Sequence, residues 1–167
     1  MLMKFVIFLS SFSFWYIGQL PGQFIITDST IMLSSVIGLE GYTPYSSFWN
    51  SFFSGFYGFS RSILPIPIFN LLLASIAFSI FFEKVQNITN QKKAIYLLVI
   101  ALCLLPTIPT NVILISHDTT SWILRVLIVS LLIPNIPHNI KPPSYPYFIL
   151  ISLLCGFAAL IRTENAL

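Results

Sequence analysis

Five apolar stretches, at about Leu2–Leu20, Ile63–Phe82, Ala94–Ile115, Thr119–Ile136 and Tyr147–Leu167, dominate the chain. A hydrocarbon core about 30 Å thick needs roughly 20 residues of helix to cross it, because lipid offers no partner to loose backbone groups. Each stretch meets or approaches that length. The expectation is an all-α, polytopic transmembrane helical bundle of about five spans, with residues 1–167 forming a single transmembrane domain. The fourth stretch is short, contains Arg125 and runs into Pro134 and Pro137. The third carries Pro106 and Pro109, which predicts a kink near its outer end. The first begins with a lysine and an apolar run, as a signal peptide does. However, Phe5 to Leu20 is long for a signal core, and Gly18-Gln19-Leu20-Pro21-Gly22 offers no small-x-small cleavage site, so it reads as a retained helix.

Composition agrees with this. The chain is 56% hydrophobic and 8% charged, against about a quarter charged in soluble domains, whose surface must face water. Sixteen Phe, seven Tyr and three Trp suit lipid-facing surfaces and aromatic belts at the interfaces. The eight Lys and Arg are scattered rather than gathered in a stripe, which argues against nucleic acid as a partner. Cys103 and Cys155 both fall inside apolar runs and read as buried packing residues; there is no CxxC and no His/Cys metal spacing. No internal repeat is evident.

The lysines orient the spans. Lys4, Lys84, Lys92, Lys93 and Lys141 all fall on one side of the five-span arrangement, which the positive-inside rule makes the cytoplasm. Asp28, Glu40, Asp118 and Glu164 fall on or near the other side. The N-terminus is then cytoplasmic in a multi-pass protein of the cell membrane, and residues 21–62 form the first external loop. The sequon Asn87-Ile-Thr89 falls inside, where it stays unmodified. Within the loop, Phe48-Trp49, Phe52-Phe53 and Phe56-Tyr57 recur every four residues, which keeps them on one helical face. The spacing predicts an amphipathic interfacial helix over 46–59 with Phe48, Phe52 and Phe56 turned to lipid. Ile31, Met32, Leu33, Val36 and Ile37 suggest a second, shorter surface helix after Asp28.

Few residues offer chemistry. The spacing of Asp28 favours an N-cap; the alternative is a carboxylate held at the membrane surface as a general base or a ligand for an acceptor hydroxyl, and the two roles can coexist. Asp118, after His117 and before Thr119-Thr120-Ser121-Trp122, is placed to cap the fourth helix; as a pair, His117 and Asp118 are too few to define a divalent-metal site. Arg125 and Arg162 lie within or at the edge of apolar runs, where charges are costly and usually face a partner or a polar cavity. Arg125 can snorkel to the surface or pair with Asp118, Arg162 can mark a helix end at the outer interface, and one or both can bind a phosphate through the planar guanidinium.

Three pieces then fall into one order. Pro21-Gly22 leads by five residues to Asp28-Ser29 after the first span; Asp118 follows a Pro-containing span; and the last span reads Cys155-Gly156-Phe157-Ala158-Ala159-Leu160-Ile161-Arg162-Thr163-Glu164. This layout resembles the N-terminal half of the GT-C superfamily of membrane glycosyltransferases, including bacterial relatives of protein mannosyltransferases. In that family an acidic residue and amphipathic helices occupy the first external loop, and a later helix commonly reads Gly-Leu-Ala-x-Leu-x-Arg-Pro-Glu. Thr163 stands where that pattern has Pro, and Ser29 stands where an acidic pair is common, which leaves metal use open. The resemblance implies transfer of a sugar from a lipid-linked, polyprenyl-phosphate donor to an acceptor on the outer face. Asp28 would act as base, Asp118 would shape the cavity, and Arg125 or Arg162, with Glu164, would bind the substrate. GT-C enzymes continue through further spans, so the chain reads as the N-terminal part of such a fold, inactive by itself. Two other classes remain open: a small accessory subunit of a membrane complex, and part of a transporter whose Pro-broken helices line a path.

Overall fold

The computed structural model describes residues 1–19, 36–37, 47–105, 108, 111–112, 117–133 and 145–161. These residues form six helices and no strand: α1 Leu2–Gln19, α2 Ser47–Ser60, α3 Pro65–Thr89, α4 Lys92–Leu104, α5 His117–Leu132 and α6 Tyr145–Ile161. The all-α expectation is met. Among the described residues, α3 is the one helix long and apolar enough to cross a membrane, with a mean hydropathy of 2.0 over its most apolar window. Leu2–Gly18 and Tyr145–Ile161 are apolar but shorter.

Helix ends follow local chemistry. α3 starts with Pro65 in its first turn, where a missing N–H costs nothing. It continues beyond Phe82, the end of the apolar run, to Thr89, because Glu83–Thr89 contains neither Gly nor Pro. Asn90 closes it in the left-handed conformation (φ 55°), and its N–H donates to the Gln86 carbonyl at 2.9 Å. That tight turn folds α4 back beside α3. α4 stops at Leu104, and Leu105 is extended (φ −77°, ψ 120°), the conformation that a following proline requires. The expected continuous helix over Ala94–Ile115 is therefore interrupted at Leu105; Ile108, Asn111 and Val112 are helical again, and the other residues of 106–116 lie outside the described ones.

Contacts along the helices show their relative directions. At one end, the Lys4 ammonium donates to Glu83 at 2.6 Å, the N-terminal ammonium lies 2.9 Å from the same carboxylate, and Lys84 donates to the Ile133 carbonyl at 3.3 Å. The Tyr147 hydroxyl donates to the Leu131 carbonyl at this same end. Toward the opposite end, Ser11 and Trp15 of α1 both donate to the Cys103 carbonyl at 3.1 Å, and Thr120 of α5 meets Asn70 of α3. Consecutive helices α3, α4, α5 and α6 thus alternate in direction, and α1 runs antiparallel to α3.

The core lies between α1, α3, α4 and α5, built on Phe8, Phe12, Phe78, Phe82, Val99 and Leu127. Phe8 sits 5.3 Å and 5.8 Å, centroid to centroid, from Phe78 and Phe82, within the range of favourable aromatic pairs. Where α3 meets α5, Ala74, Ser75, Ala77 and Ser79 are buried; small residues allow close backbone approach. The hydroxyls of Ser75, Ser79 and Ser130 donate to carbonyls one turn back on their own helices, so burial leaves them satisfied.

Exposed apolar side chains line the outside of several helices. Leu2, Val6, Phe14 and Ile17 of α1, Leu97 and Ile100 of α4, and Phe148, Ile149 and Leu153 of α6 are exposed. A surface of this kind far exceeds the isolated patches that soluble monomers carry.

Two expectations change. Residues 47–60 are helical, as the aromatic spacing predicts, but Phe48 and Phe52 do not turn outward. Phe157 of α6 lies 5.5 Å and 5.4 Å from them, and Phe69 of α3 lies 5.8 Å from Phe52. Phe53 is buried with Val36, Ile66, Leu124 and Ile161. The aromatic face clamps α2 onto the bundle, while Phe56 and Phe59 are exposed. Of the proposed shorter helix only residues 36–37 are described; the Val36 carbonyl accepts from Ser54 at 3.0 Å. Cys103 is buried as expected, whereas Cys155 is exposed on α6; both are free thiols.

Candidate functional site

A cluster of buried polar residues lies at the end of the bundle opposite Lys4 and Glu83. Asn70 lies in the second turn of α3, fully buried. The Thr120 hydroxyl, also fully buried, donates to Asn70 Oδ1 at 3.0 Å and links α3 to α5 across fifty residues of sequence. Thr119 and Ser121 flank it, both buried, and the Ser121 hydroxyl oxygen has no hydrogen-bond partner among the described residues. An amide and a hydroxyl group packed between apolar helices are costly to separate, because neither side finds water. This cluster was not anticipated from the sequence; the signal was Asn70 itself, a lone amide inside the Ile63–Phe82 run.

Asp118 stands one residue before these buried hydroxyls, and its side chain is exposed. The helix begins at His117, so Asp118 lies inside the first turn of α5 rather than ahead of it as an N-cap. A carboxylate in that position still complements the positive end of the helix dipole.

Arg125 lies two turns further along α5, on the same face as Asp118, and is exposed. With Phe78 and Phe81 of α3 and Trp122, Val126 and Val129 of α5 it lines an open, almost wholly apolar groove of about 260 Å³. The structure thus puts Asp118 and Arg125 on one helical face about 10 Å apart along the axis. Asp28, Arg162 and Glu164 lie outside the described residues, so their approach to Asp118 is not defined. Among the described residues, no group of three or more His, Cys, Asp or Glu converges as a metal site.

At the other end, Glu83 accepts from the side chain of Lys4, which is 1% exposed, and the Lys4 ammonium stands 5.1 Å from the centre of the Tyr96 ring. Glu83 is the one acid that falls on the side of the five lysines in the five-span arrangement. Its pairing with two cations accounts for its place among the lysines.

Comparison with protein families, with curated proteins and with solved structures gave no match.

Proposed function

We propose that the chain is a multi-pass integral membrane protein with its N-terminus in the cytoplasm, and that it forms the N-terminal part of a GT-C-type glycosyltransferase. The observation that carries the membrane reading is the apolar exterior shared by α1, α4 and α6, combined with helices that alternate in direction. A helix of 25 residues such as α3 reaches across a bilayer. α4 and α5 are shorter, and local thinning of the bilayer or added turns beyond the described residues accommodate them. Lys4, Lys84 and the N-terminus share one end, in keeping with the positive-inside rule.

The glycosyltransferase reading rests on the sequence resemblance and is supported by the position of Asp118 at the opposite, outward end. In this reading Asp28 deprotonates or orients the acceptor hydroxyl. Asp118, in the first turn of α5, shapes the cavity. A cation next to the departing lipid phosphate lowers the same barrier as a base next to the nucleophile. Arg162, which follows the last described residue of α6, suits that task better than Arg125. A phosphate belongs at the headgroup level, and Arg125 lies halfway down a helix.

The test is transfer of a radiolabelled sugar from a polyprenyl-phosphate donor in membranes that contain the whole protein. Asp28→Asn is expected to lower transfer by roughly 10²-fold or more, the scale of a lost general base, because Asn caps as well as Asp but takes no proton. Asp118→Asn is expected to have a smaller effect. Full transfer by a folded Asp28→Asn protein would leave a helix cap as the role of Asp28, whereas no transfer by the whole parent protein would remove the glycosyltransferase reading.

A further inference from the structure

Arg61 stands apart from the lysines. Lys4, Lys84, Lys92 and Lys93 lie toward the end of the bundle where α3 turns into α4, whereas Arg61 lies at the opposite end, between α2 and α3. The positive-inside rule accounts for the lysines and not for Arg61. Arg61 directly follows α2, and its N–H donates to the Tyr57 carbonyl at 2.7 Å, so it closes that helix in the left-handed conformation (φ 52°). Gly or Asn usually fills such a place, because a Cβ is strained there. The turn is closed without the help of the arginine side chain. The Ser60 hydroxyl donates to the Phe56 carbonyl at 2.8 Å and accepts the Ser62 N–H at 3.3 Å, and the Ser62 hydroxyl accepts the Leu64 N–H at 3.2 Å. The Arg61 side chain is exposed, and no ion pair reaches it among the described residues. Exposed apolar side chains flank it in the chain. Phe59 is 95% exposed, Phe56 is exposed, and Leu64, Ile68, Leu72 and Ile76 form an exposed row along α3 at four-residue spacing. Pro65 and Lys84 are about 28 Å apart on α3, close to the thickness of a hydrocarbon core. Arg61, just before Pro65, therefore lies where that apolar row ends and the headgroups begin.

We propose that the turn between α2 and α3 is a binding site for the phosphodiester of an anionic phospholipid in the outer leaflet, with Arg61 on the phosphate and Phe56 and Phe59 among the upper acyl chains. The inference rests on the multi-pass reading above. A planar guanidinium binds phosphate oxygens through paired N–H donors, and a lipid phosphate is the anion found at this depth. The rings add a second requirement. A phospholipid meets both parts of the turn with one molecule, its headgroup at the cation and its chains at Phe56 and Phe59. A soluble anion meets the arginine alone, and an apolar protein surface meets the rings alone. Phosphatidylcholine carries its own cation, which competes with the guanidinium for the phosphate, so a headgroup of net negative charge is preferred. The site is also firmly placed, because Phe52 and Phe53, one and two turns back on α2, pack on Phe69 of α3 at 5.8 Å and 5.7 Å. A cation after the last turn of α2 complements the negative end of the helix dipole as well. That role calls for no exposed ring beside it and gives no selectivity among lipids.

The experiment uses the full chain in phosphatidylcholine vesicles, with Cys103 and Cys155 replaced and a bimane fluorophore attached at Gly58→Cys. Gly58 is exposed on α2, and a Cβ added there meets nothing within 4 Å. Phosphatidylglycerol or phosphatidylcholine, each brominated high in one acyl chain, is added as the same minor fraction, and quenching reports which lipid lies against the turn. Phosphatidylglycerol is expected to be enriched there about fivefold over phosphatidylcholine, the factor that one basic residue contributes at a membrane surface. The enrichment is expected to disappear in Arg61→Asn, which suits the left-handed backbone and so keeps the turn, and to persist in Arg61→Lys. Equal quenching by the two lipids in the parent, or an enrichment that survives Arg61→Asn, would overturn the proposal. So would loss of the enrichment on adding sodium phosphate at constant ionic strength, which would make a soluble phosphate the ligand. The same fluorophore at Leu97→Cys, an exposed position on α4, separates the two levels of the argument. Absence of quenching there by either lipid would sink the membrane reading itself; quenching there without selectivity at the turn would sink the headgroup site alone.

Discussion

The pair formed by Lys4 and Glu83 gives an asymmetry that can be measured. Lys4 is 1% exposed and Glu83 32% exposed, and the carboxylate also holds the N-terminal ammonium of Met1, whose side chain is 70% exposed. Glu83→Gln strands both cations. The exposed terminus loses little, because surface pairs are worth about 0–1 kcal/mol. The buried lysine loses its counter-charge, and removing one partner of a buried pair costs about 3–5 kcal/mol. The open side of Glu83 and the Tyr96 ring next to Lys4, a contact worth about 0.5–1 kcal/mol, reduce that loss. A destabilisation of roughly 2–4 kcal/mol is therefore expected for Glu83→Gln. Lys4→Met is expected to cost about 1 kcal/mol or less, since the remaining carboxylate is partly open and keeps the terminus. The double variant Lys4→Met, Glu83→Gln is expected to be more stable than Glu83→Gln alone. Unfolding by sodium dodecyl sulfate from mixed micelles, followed by tryptophan fluorescence, measures all four proteins of the cycle. Equal costs for the two single variants, or a Glu83→Gln protein within 0.5 kcal/mol of the parent, would refute the reasoning.

Two further predictions concern the opposite end. Phe52 touches Phe69 and Phe157, so Phe52→Ala is expected to loosen α2 by about 2 kcal/mol, less than a full core truncation because the ring is half-buried. Faster tryptic cleavage at the exposed Arg61, just past α2, reports this, and unchanged cleavage would count against the docked position of α2. Thr120→Val removes the hydrogen bond to Asn70 and is expected to cost about 0.6–2 kcal/mol in the same micelle assay, while Thr120→Ser keeps most of the stability. Equal losses for Val and Ser would assign the effect to shape and not to the hydrogen bond.

Much of the helical layout was legible because long apolar runs have few other ways to satisfy their backbone. The runs at Leu2–Leu20, Ile63–Phe82 and Tyr147–Leu167 each contain the larger part of an observed helix. Their ends were less legible. Hydropathy marks where lipid contact stops, whereas α3 continues as long as its residues tolerate the helix, to Thr89. The break at Leu105 was legible only as a disturbance, because a following proline disfavours the helical conformation without fixing what the backbone adopts instead. The aromatic spacing of residues 48–57 foretold one common face, but not that Phe69 and Phe157, distant in sequence, would meet it. The Asn70–Thr120 pair is of the same kind: both residues were visible, and only the fold brings them together. Asp28, Arg162 and Glu164 rest on the resemblance alone.

The orientation of α3 and α4 in the membrane is the most direct test of the account. Gln91 is exposed in the tight turn between them, and Arg61 is exposed at the other end of α3. Single cysteines are placed at these two positions after Cys103 and Cys155 are replaced, and intact cells are treated with a membrane-impermeant maleimide. The account predicts that the thiol at position 61 reacts from outside, and that the one at position 91 reacts only after the membrane is permeabilised. Labelling of position 91 in intact cells, with position 61 protected, would reverse the topology; equal labelling of both in intact cells would contradict a bundle that crosses the membrane between them.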